Sequence, residues 1–282
     1  MKIKVLSVAL SAMLLTACGG DKNDSASNNA TDTQKTIIIA TESSFKPFSY
    51  LDNQGQVVGL EIDLANALCD EMKVKCDIQS HEWDSLIPSL NANKADAIMA
   101  GMSVTPERTQ VVDFTDSYFD NTLVLVGKKG TPMDVAGLAG KAVGTQQATL
   151  SADYLAEHQP KALTKTYDKQ DSVYLDLTAG RIEFMLSDIV PVSDWLKTDA
   201  GKDFEIKGEP IDVNDKVAIA VRKDDPLKGE FNTALATLKA NGTYHQIVAK
   251  YFGDDANAPA EQTTPSDTAD TPTDSDKTKS DK

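Results

Sequence analysis

Thr122-Leu123-Val124-Leu125-Val126-Gly127, followed at once by Lys128-Lys129-Gly130-Thr131-Pro132, is where the pattern of this chain resets. Six uncharged residues rich in Val and Leu read as a fully buried strand, and the Lys-Lys-Gly-Thr-Pro break closes it. Upstream lies one α/β series. It begins with the β-branched strand Thr36-Ile37-Ile38-Ile39-Ala40, and a helix follows on which Leu60, Ile62, Leu64, Ala65 and Leu68 recur near a 3.6 period. A second helix runs from Asp84 to Leu90 with Pro88 tolerable only in its first turn, and leads into the strand Ala95 to Met99. Downstream a new series starts: strand Lys141 to Thr145, helix Leu150 to His158, helix Ser172 to Thr178 closed by Gly180, and strand Ile182 to Leu186. A last β-branched run, Val217 to Val221, precedes helices over Lys228 to Lys239 and Tyr244 to Tyr251. Two strand runs bracketing a middle series predict an α/β fold of two lobes. Each would be a mostly parallel sheet with flanking helices, and two crossing strands would join them. Lobe 1 is expected over 36–124 and 217–253, lobe 2 over 125–216. Open α/β sheets bind ligands at the carboxyl ends of their strands, so the cleft between the lobes is the expected site.

Charge and composition narrow the function. The 282 residues carry 28 basic and 43 acidic side chains, a net charge of −15, and no basic cluster exceeds two or three residues. Nucleic-acid binding is therefore excluded. Three cysteines and three histidines are too few for a multi-ligand zinc site or an iron-sulfur cluster, so no metal and no cofactor is expected. Lys2 and Lys4 precede an apolar run, Val5 to Leu15, that is too short to span a bilayer, so residues 1–17 read as a secretory signal. Leu15-Thr16-Ala17-Cys18-Gly19-Gly20 resembles the lipobox of bacterial lipoproteins, which implies lipidation at Cys18 and a membrane anchor; an ordinary signal peptide with an incidental cysteine is the alternative. Residues 18–35 have the composition of a flexible tether, and residues 254–282 that of a disordered Thr/Ser/Pro/Asp tail. Of the −15, the leader carries +2, the tether −1 and the tail −5, leaving −11 for residues 36–253.

Ser103-Val104-Thr105-Pro106-Glu107-Arg108 follows the strand Ala95 to Met99. Thr105 suits an N-cap, Pro106 the first helical position and Glu107 the first turn. Arg108 opposes the positive end of a helix dipole, which makes sense if helix and guanidinium together face an anion. The alternative is a surface arginine paired with Glu107 or Asp113.

The stretches His81 to Leu90, Ala97 to Arg108, Val58-Gly59-Leu60-Glu61-Ile62-Asp63-Leu64-Ala65, Asp176 to Ile182 and Asn241-Gly242-Thr243-Tyr244 resemble the polar and basic amino-acid-binding proteins of ABC importers, over roughly residues 36 to 253. The resemblance is greatest to arginine and lysine/arginine/ornithine/histidine binders. It implies a monomeric, non-enzymatic, two-lobed periplasmic-binding-protein type II fold. Such a protein closes on an L-amino acid, arginine first, at the cell envelope and hands it to an ABC permease. Lysine, histidine or glutamine are the alternative ligands. By resemblance Arg108 pairs with the ligand α-carboxylate, helped by the amide of Ser103 and an amide near Thr149 and Leu150. The Ser103 hydroxyl and the Gly101 carbonyl face the α-ammonium, with Met102 between them in the same loop, and Asp188 supplies the counter-charge. Capping the following helix is the other role open to Asp188.

By the same resemblance Glu42, Phe45 and Trp83 are expected to line the side-chain pocket, two aromatic faces and one acid around a cationic group. Core packing is the alternative for Phe45 and Phe48. Lobe 2 departs from the family pattern at Gln146-Gln147-Ala148-Thr149-Leu150, where a Gly-Thr-Thr turn is frequent. Leu150 offers only its amide there, and Gln146 is placed to reach the ligand side chain. The family also carries a cysteine pair matching Cys69 and Cys76. On a continuous helix these would lie about 10.5 Å apart, beyond disulfide reach, so a bridge requires the helix to end near Met72 or Lys73 and fold back. A dehydratase reusing the same fold is the enzymatic alternative, but His81, His158 and His245 are scattered and belong to no nucleophile or acid-base set. Gly19 and Gly20 lack the acidic residue that retains some lipoproteins at an inner membrane, which by resemblance points to outer-membrane sorting if the cell has one.

Overall fold

The computed structural model describes residues 34–253; the leader, Cys18, most of the tether and the tail lie outside them. The chain enters through β1 (Thr36–Thr41), with Ile37 and Ile39 fully buried. A small sheet of β2 (Ser44–Phe45), β3 (Ser49–Leu51) and β4 (Val57–Val58) then leads to α1 (Leu60–Glu71). Next come β5 (Lys75–Ser80), a 3₁₀ turn at Trp83–Ser85, α2 (Leu86–Asn91), β6 (Ala97–Ile98), a 3₁₀ turn at Arg108–Gln110, and β7 (Asp113–Phe114). The first crossing strand, β8 (Phe119–Lys128), opens a second series: β9 (Ala142–Gln146), α3 (Leu150–His158), β10 (Leu163–Tyr167), α4 (Gln170–Thr178), β11 (Phe184–Asp188) and α5 (Ile189–Trp195). β12 (Phe204–Val217) returns the chain to β13 (Ala220–Val221), α6 (Leu227–Ala240) and α7 (Thr243–Phe252).

Two five-stranded sheets result, ordered β5-β1-β6-β13-β7 and β10-β9-β11-β8-β12. In each, four strands run one way and one runs back: β13 is antiparallel to both its neighbours, and so is β8. These are the strands by which the chain enters each lobe. Strands whose carboxyl ends meet at the cleft run toward it, whereas an entering strand starts at the cleft and runs away.

The opening stretch is legible for a physical reason. Along β8, Leu123 and Leu125 pack into one cluster with Val143, Leu155 and Phe184, while Val124 and Val126 pack into another with Val173, Met185 and Trp195. Side chains alternate across a strand, so helices on both faces demand an unbroken apolar run. In lobe 1, Ile37 and Ile39 face Leu64, Leu68 and Phe231 on one side of the sheet, and Ala40 and Ile98 face Leu86 and Leu90 on the other.

Some boundaries differ from expectation. β8 begins pairing with β12 at Phe119, ahead of the expected limit of lobe 1 at 124. The run Val217 to Val221 is not one strand, because the chain changes sheets between Val217 and Ala220. No helix of any length follows Thr105. Its Oγ1 accepts from the amide of Arg108 at 3.2 Å, and the chain makes only the short 3₁₀ turn, so no helix dipole opposes that arginine.

Cys69 and Cys76 form a disulfide with Cα atoms 5.9 Å apart. α1 ends in a Schellman turn that makes this possible. Lys73 takes a left-handed conformation (φ 56), its N–H donates to Asp70 O at 3.1 Å, and the Val74 N–H donates to Cys69 O at 3.0 Å.

Candidate ligand-binding site

The carboxyl ends of the sheet strands converge on one cavity, with about 400 Å³ not filled by protein atoms. β1 brings Glu42, the loop after β6 brings Gly101 and Ser103, β9 ends in Thr145 and Gln146, and β11 in Ser187 and Asp188. Arg108 and Trp83 arrive on 3₁₀ turns of lobe 1, Thr149 and Leu150 at the start of α3 in lobe 2. Of the residues expected at a site, Met102 alone among the described ones does not line it. The chain turns at Gly101, which with Ser103 borders the cavity, while the Met102 side chain is buried in the lobe 1 core with Leu86 and Leu90.

Arg108 is held by the backbone of both lobes. Its Nη1 donates to Ser103 O at 2.7 Å and its Nη2 to Ala148 O at 2.9 Å. The Trp83 indole lies 5.3 Å from its Cζ and donates Nε1–H to the same Ala148 carbonyl at 3.2 Å. Trp83 thus carries one of the protein's own cations as well as walling the cavity. Thr149 caps α3, its Oγ1 accepting from Ala152 N at 3.3 Å. The first-turn amides of that helix at Leu150 and Ser151 sit on the cavity wall, where helix N–H groups lack intrahelical partners. Arg108 and the N-terminus of a helix on the other lobe thus border the same cavity.

Acids stand at two further points. Asp188 occupies the N-cap position of α5 but makes no capping bond, which leaves its carboxylate to the cavity. Burial and the nearby Asp215 push it up to about 7. Glu42 is raised by burial and accepts from Ser44 Oγ at 2.7 Å and, across the lobes, from Gln146 Nε2 at 3.0 Å. Asp171 and Glu82 are the charges that act on Glu42, Asp215 and Arg108 those that act on Asp188, which places the two acids at different ends.

Gly101 is needed as glycine. Its φ is +62, and a Cβ there would lie 2.6 Å from the ring of Phe45. Its N–H donates to Glu61 Oε1 at 2.6 Å, and the Tyr118 hydroxyl donates to the same oxygen. Glu61 is wholly buried and pushed up to about 7 by desolvation. Sequence reasoning missed this support, and it missed Thr145, Gln170 and Ser187 on the lobe 2 wall, where Ser187 Oγ donates to Gln170 Oε1 at 3.0 Å. Position at a strand's carboxyl end was the available signal for Thr145 and Ser187.

Known proteins resemble this chain in sequence and in fold. The chain is 37% identical over 219 residues to the ABC transporter arginine-binding protein 1 of Escherichia coli, covering 77% of this chain and 90% of that one. It is 39% identical over 231 residues to the L-arginine-binding protein of Pseudomonas aeruginosa, covering 78% and 89%. A solved structure of a Salmonella typhimurium periplasmic binding protein, described as a basis for high arginine specificity, superposes with a TM-score of 0.74 at 35% identity, covering 77% and 99%. The fold is that of type II periplasmic binding proteins. Residues 37–254 match the sequence family of bacterial extracellular solute-binding proteins, family 3, and the chain belongs to that family.

Proposed function

We propose that this chain is the lipid-anchored, extracytoplasmic substrate-binding component of an ABC importer, capturing a cationic L-amino acid, arginine first, by lobe closure and delivering it to the permease. One observation carries the reading: a single cleft opposes a guanidinium and a helix N-terminus to two acids at separate ends. A zwitterion with a cationic side chain presents the complementary charges. Arg108 and the α3 amides take the α-carboxylate, while Asp188 with Ser103 and the Gly101 carbonyl takes the α-ammonium. Glu42 and Gln146 meet the side chain between Phe45 and Trp83. The arginine-binding relatives support this choice, and the periplasmic ones support the compartment. Anchoring rests on Cys18, outside the described residues; within them no helix is long and apolar enough to cross a membrane.

A thermal-shift panel of the twenty amino acids plus ornithine and citrulline tests the reading. A ligand at 100 times its dissociation constant stabilises by about 2.7 kcal/mol. Arginine should give the largest shift. No response to arginine beside a clear one to glutamine would overturn the specificity, and aromatic product from prephenate or arogenate would overturn transport itself.

A further inference from the structure

Asp215 takes part in none of the contacts above, yet it stands behind them. It lies on β12 opposite Asn121 on β8, so the pair joins the two crossing strands beside the cleft. Asp215 is 3% exposed and Asn121 7%. One Asp215 oxygen accepts from Asn121 Nδ2 at 2.7 Å; the other, Oδ1, is buried with no partner among the described residues. Asp188 and Arg108 face it from the cleft, and Asp120 from β8; the Ser103 hydroxyl and the Asn121 amide favour its charged form. Lys216, its chain neighbour, pairs with Asp120 at 2.7 Å instead. Asn121 also favours the charged form of Asp188. Asp188 on β11 pairs with Leu123 of β8 and Asp215 on β12 with Asn121, two residues earlier on the same strand, so two desolvated carboxylates flank β8 at nearly one level, and like charges so placed do not both ionise readily.

The geometry has a second consequence at Ser103. An ammonium only donates, so a hydroxyl that receives it must send its own hydrogen elsewhere. Ser103 bridges to Val217 on β12 and the Val104 N–H donates to Lys216 O at 2.8 Å, which brings that hydroxyl to the side of the unpartnered Asp215 Oδ1. A separate solvent-facing hollow, lined by Asp120, Asn121, Asp212, Asp215 and Lys216 and by no residue of the cleft cavity, lies against the buried Asp215 on the side away from the cleft.

We propose that Asp215 is a positioning residue for the ammonium half of the site, and that capture of a ligand ammonium expels a proton which Asp188 and Asp215 otherwise share. The proton leaves to solvent through the hollow, and both carboxylates then face a cation. This rests on the amino-acid reading of the cleft. Raised carboxyl pKa values agree with it: burial lifts both acids, Asp188 to about 7. Calorimetric titration of the full chain with L-arginine at pH 7, in phosphate and in Tris, measures the proton count from the difference in observed enthalpy. The parent should release about half a proton or more, and Asp215→Asn clearly less. Between pH 6 and 8 the parent's affinity should tighten several-fold and that of Asp215→Asn clearly less, since burial alone still raises the Asp188 carboxyl in the variant. Glu42 can also shed a proton to a guanidinium, so the difference between parent and variant is the diagnostic quantity. Asn121→Ser, which removes the shared amide, should weaken arginine binding while the pH dependence remains. Equal proton counts in parent and Asp215→Asn, or a buffer-independent enthalpy in the parent, overturn the proposal. If Asp215→Asn does not melt cooperatively, Asp215→Ser takes its place in the same comparison with the parent. Absence of binding heat with every amino acid overturns the reading of the cleft on which it rests.

Discussion

Arg108 combines two functions in one side chain. It offers a guanidinium to the cleft while two of its nitrogens fasten the Ser103 carbonyl of lobe 1 to the Ala148 carbonyl of lobe 2. Arg108→Ala should therefore weaken arginine binding by roughly 2 to 5 kcal/mol, since a carboxylate would be buried unpaired; an affinity within threefold of the parent would remove Arg108 from the site. Glu61 makes a prediction about stability. Its carboxyl rises from the ordinary 4.5 to about 7 because it is wholly buried, with Gly101 and Tyr118 as donors. The native state then holds a proton that the unfolded chain loses near 4.5, so the associated stability is full below that pH and is lost as pH rises through 7. Glu61→Gln does not titrate. Relative to the parent it should gain on the order of 3 kcal/mol between pH 4.5 and pH 8; denaturant melts at pH 5 and 8 check this, and an unchanged gap refutes it. Arg108, Asp188 and Glu42 could be read from the sequence because charge beside a strand end is conspicuous. Gln170 and Asp215 could not, and Thr145 and Ser187 only through their place at a strand's carboxyl end. Small polar residues look the same on a cavity wall as on a solvated surface, and Asp215 is one acid among several between Glu205 and Asp225.

At the scale of elements, legibility follows burial. β1 and β8 are buried on both faces and read as continuous apolar runs, whereas the edge strands β5 (Lys-Cys-Asp-Ile-Gln-Ser) and β10 (Leu-Thr-Lys-Thr-Tyr) are half or wholly exposed and carry no such signal. β12 was hidden for another reason. Its pairing with β8 shifts register between Lys207 and Ile211 and again before Asp215, which scrambles the alternation by which a strand is recognised. The turn after α1 was legible through the resemblance, since a bridge between the family's matching cysteine pair requires the helix to reverse. The Cys69–Cys76 bridge closes a short loop over a turn already set by Lys73 and Val74. Replacing both cysteines with alanine should cost about 2 kcal/mol of stability by loss of loop-closure constraint. Arginine affinity should stay within twofold, because α1 meets the cleft only through Glu61. Chemical denaturation and a titration of the same variant separate the two effects, and a large loss of affinity at unchanged stability would contradict them.

Over the whole molecule, the lobes meet through a set of contacts around the cleft. Gln146 reaches Glu42, Gln147 reaches Asp84, Lys169 pairs with Glu82 at 3.0 Å and Lys46 with Asp194 at 3.2 Å. The ion pairs are exposed, and exposed pairs contribute little each. Closure therefore depends chiefly on what the cavity groups gain from a ligand, and the surface charge acts on the approach. Residues 36–253 carry −11 and the tail a further −5. Such a field raises the association rate of a cation and is screened by salt, the Debye length falling from about 30 Å at 0.01 M to about 10 Å at 0.1 M. Arginine carries a net positive charge and citrulline none, though they are nearly the same size. Stopped-flow fluorescence can follow both, because Trp83, one of only two tryptophans, lines the cleft. The association rate constant of arginine should fall several-fold across that salt range, that of citrulline should stay flat, and the dissociation rate constants of both should change little. Deleting residues 254–282 should shrink the salt effect on arginine association and leave its equilibrium affinity at 0.1 M within twofold. Equal salt sensitivity for the two ligands would show that the acidity serves solubility alone, and a loss of affinity on removing the tail would place part of the binding machinery there.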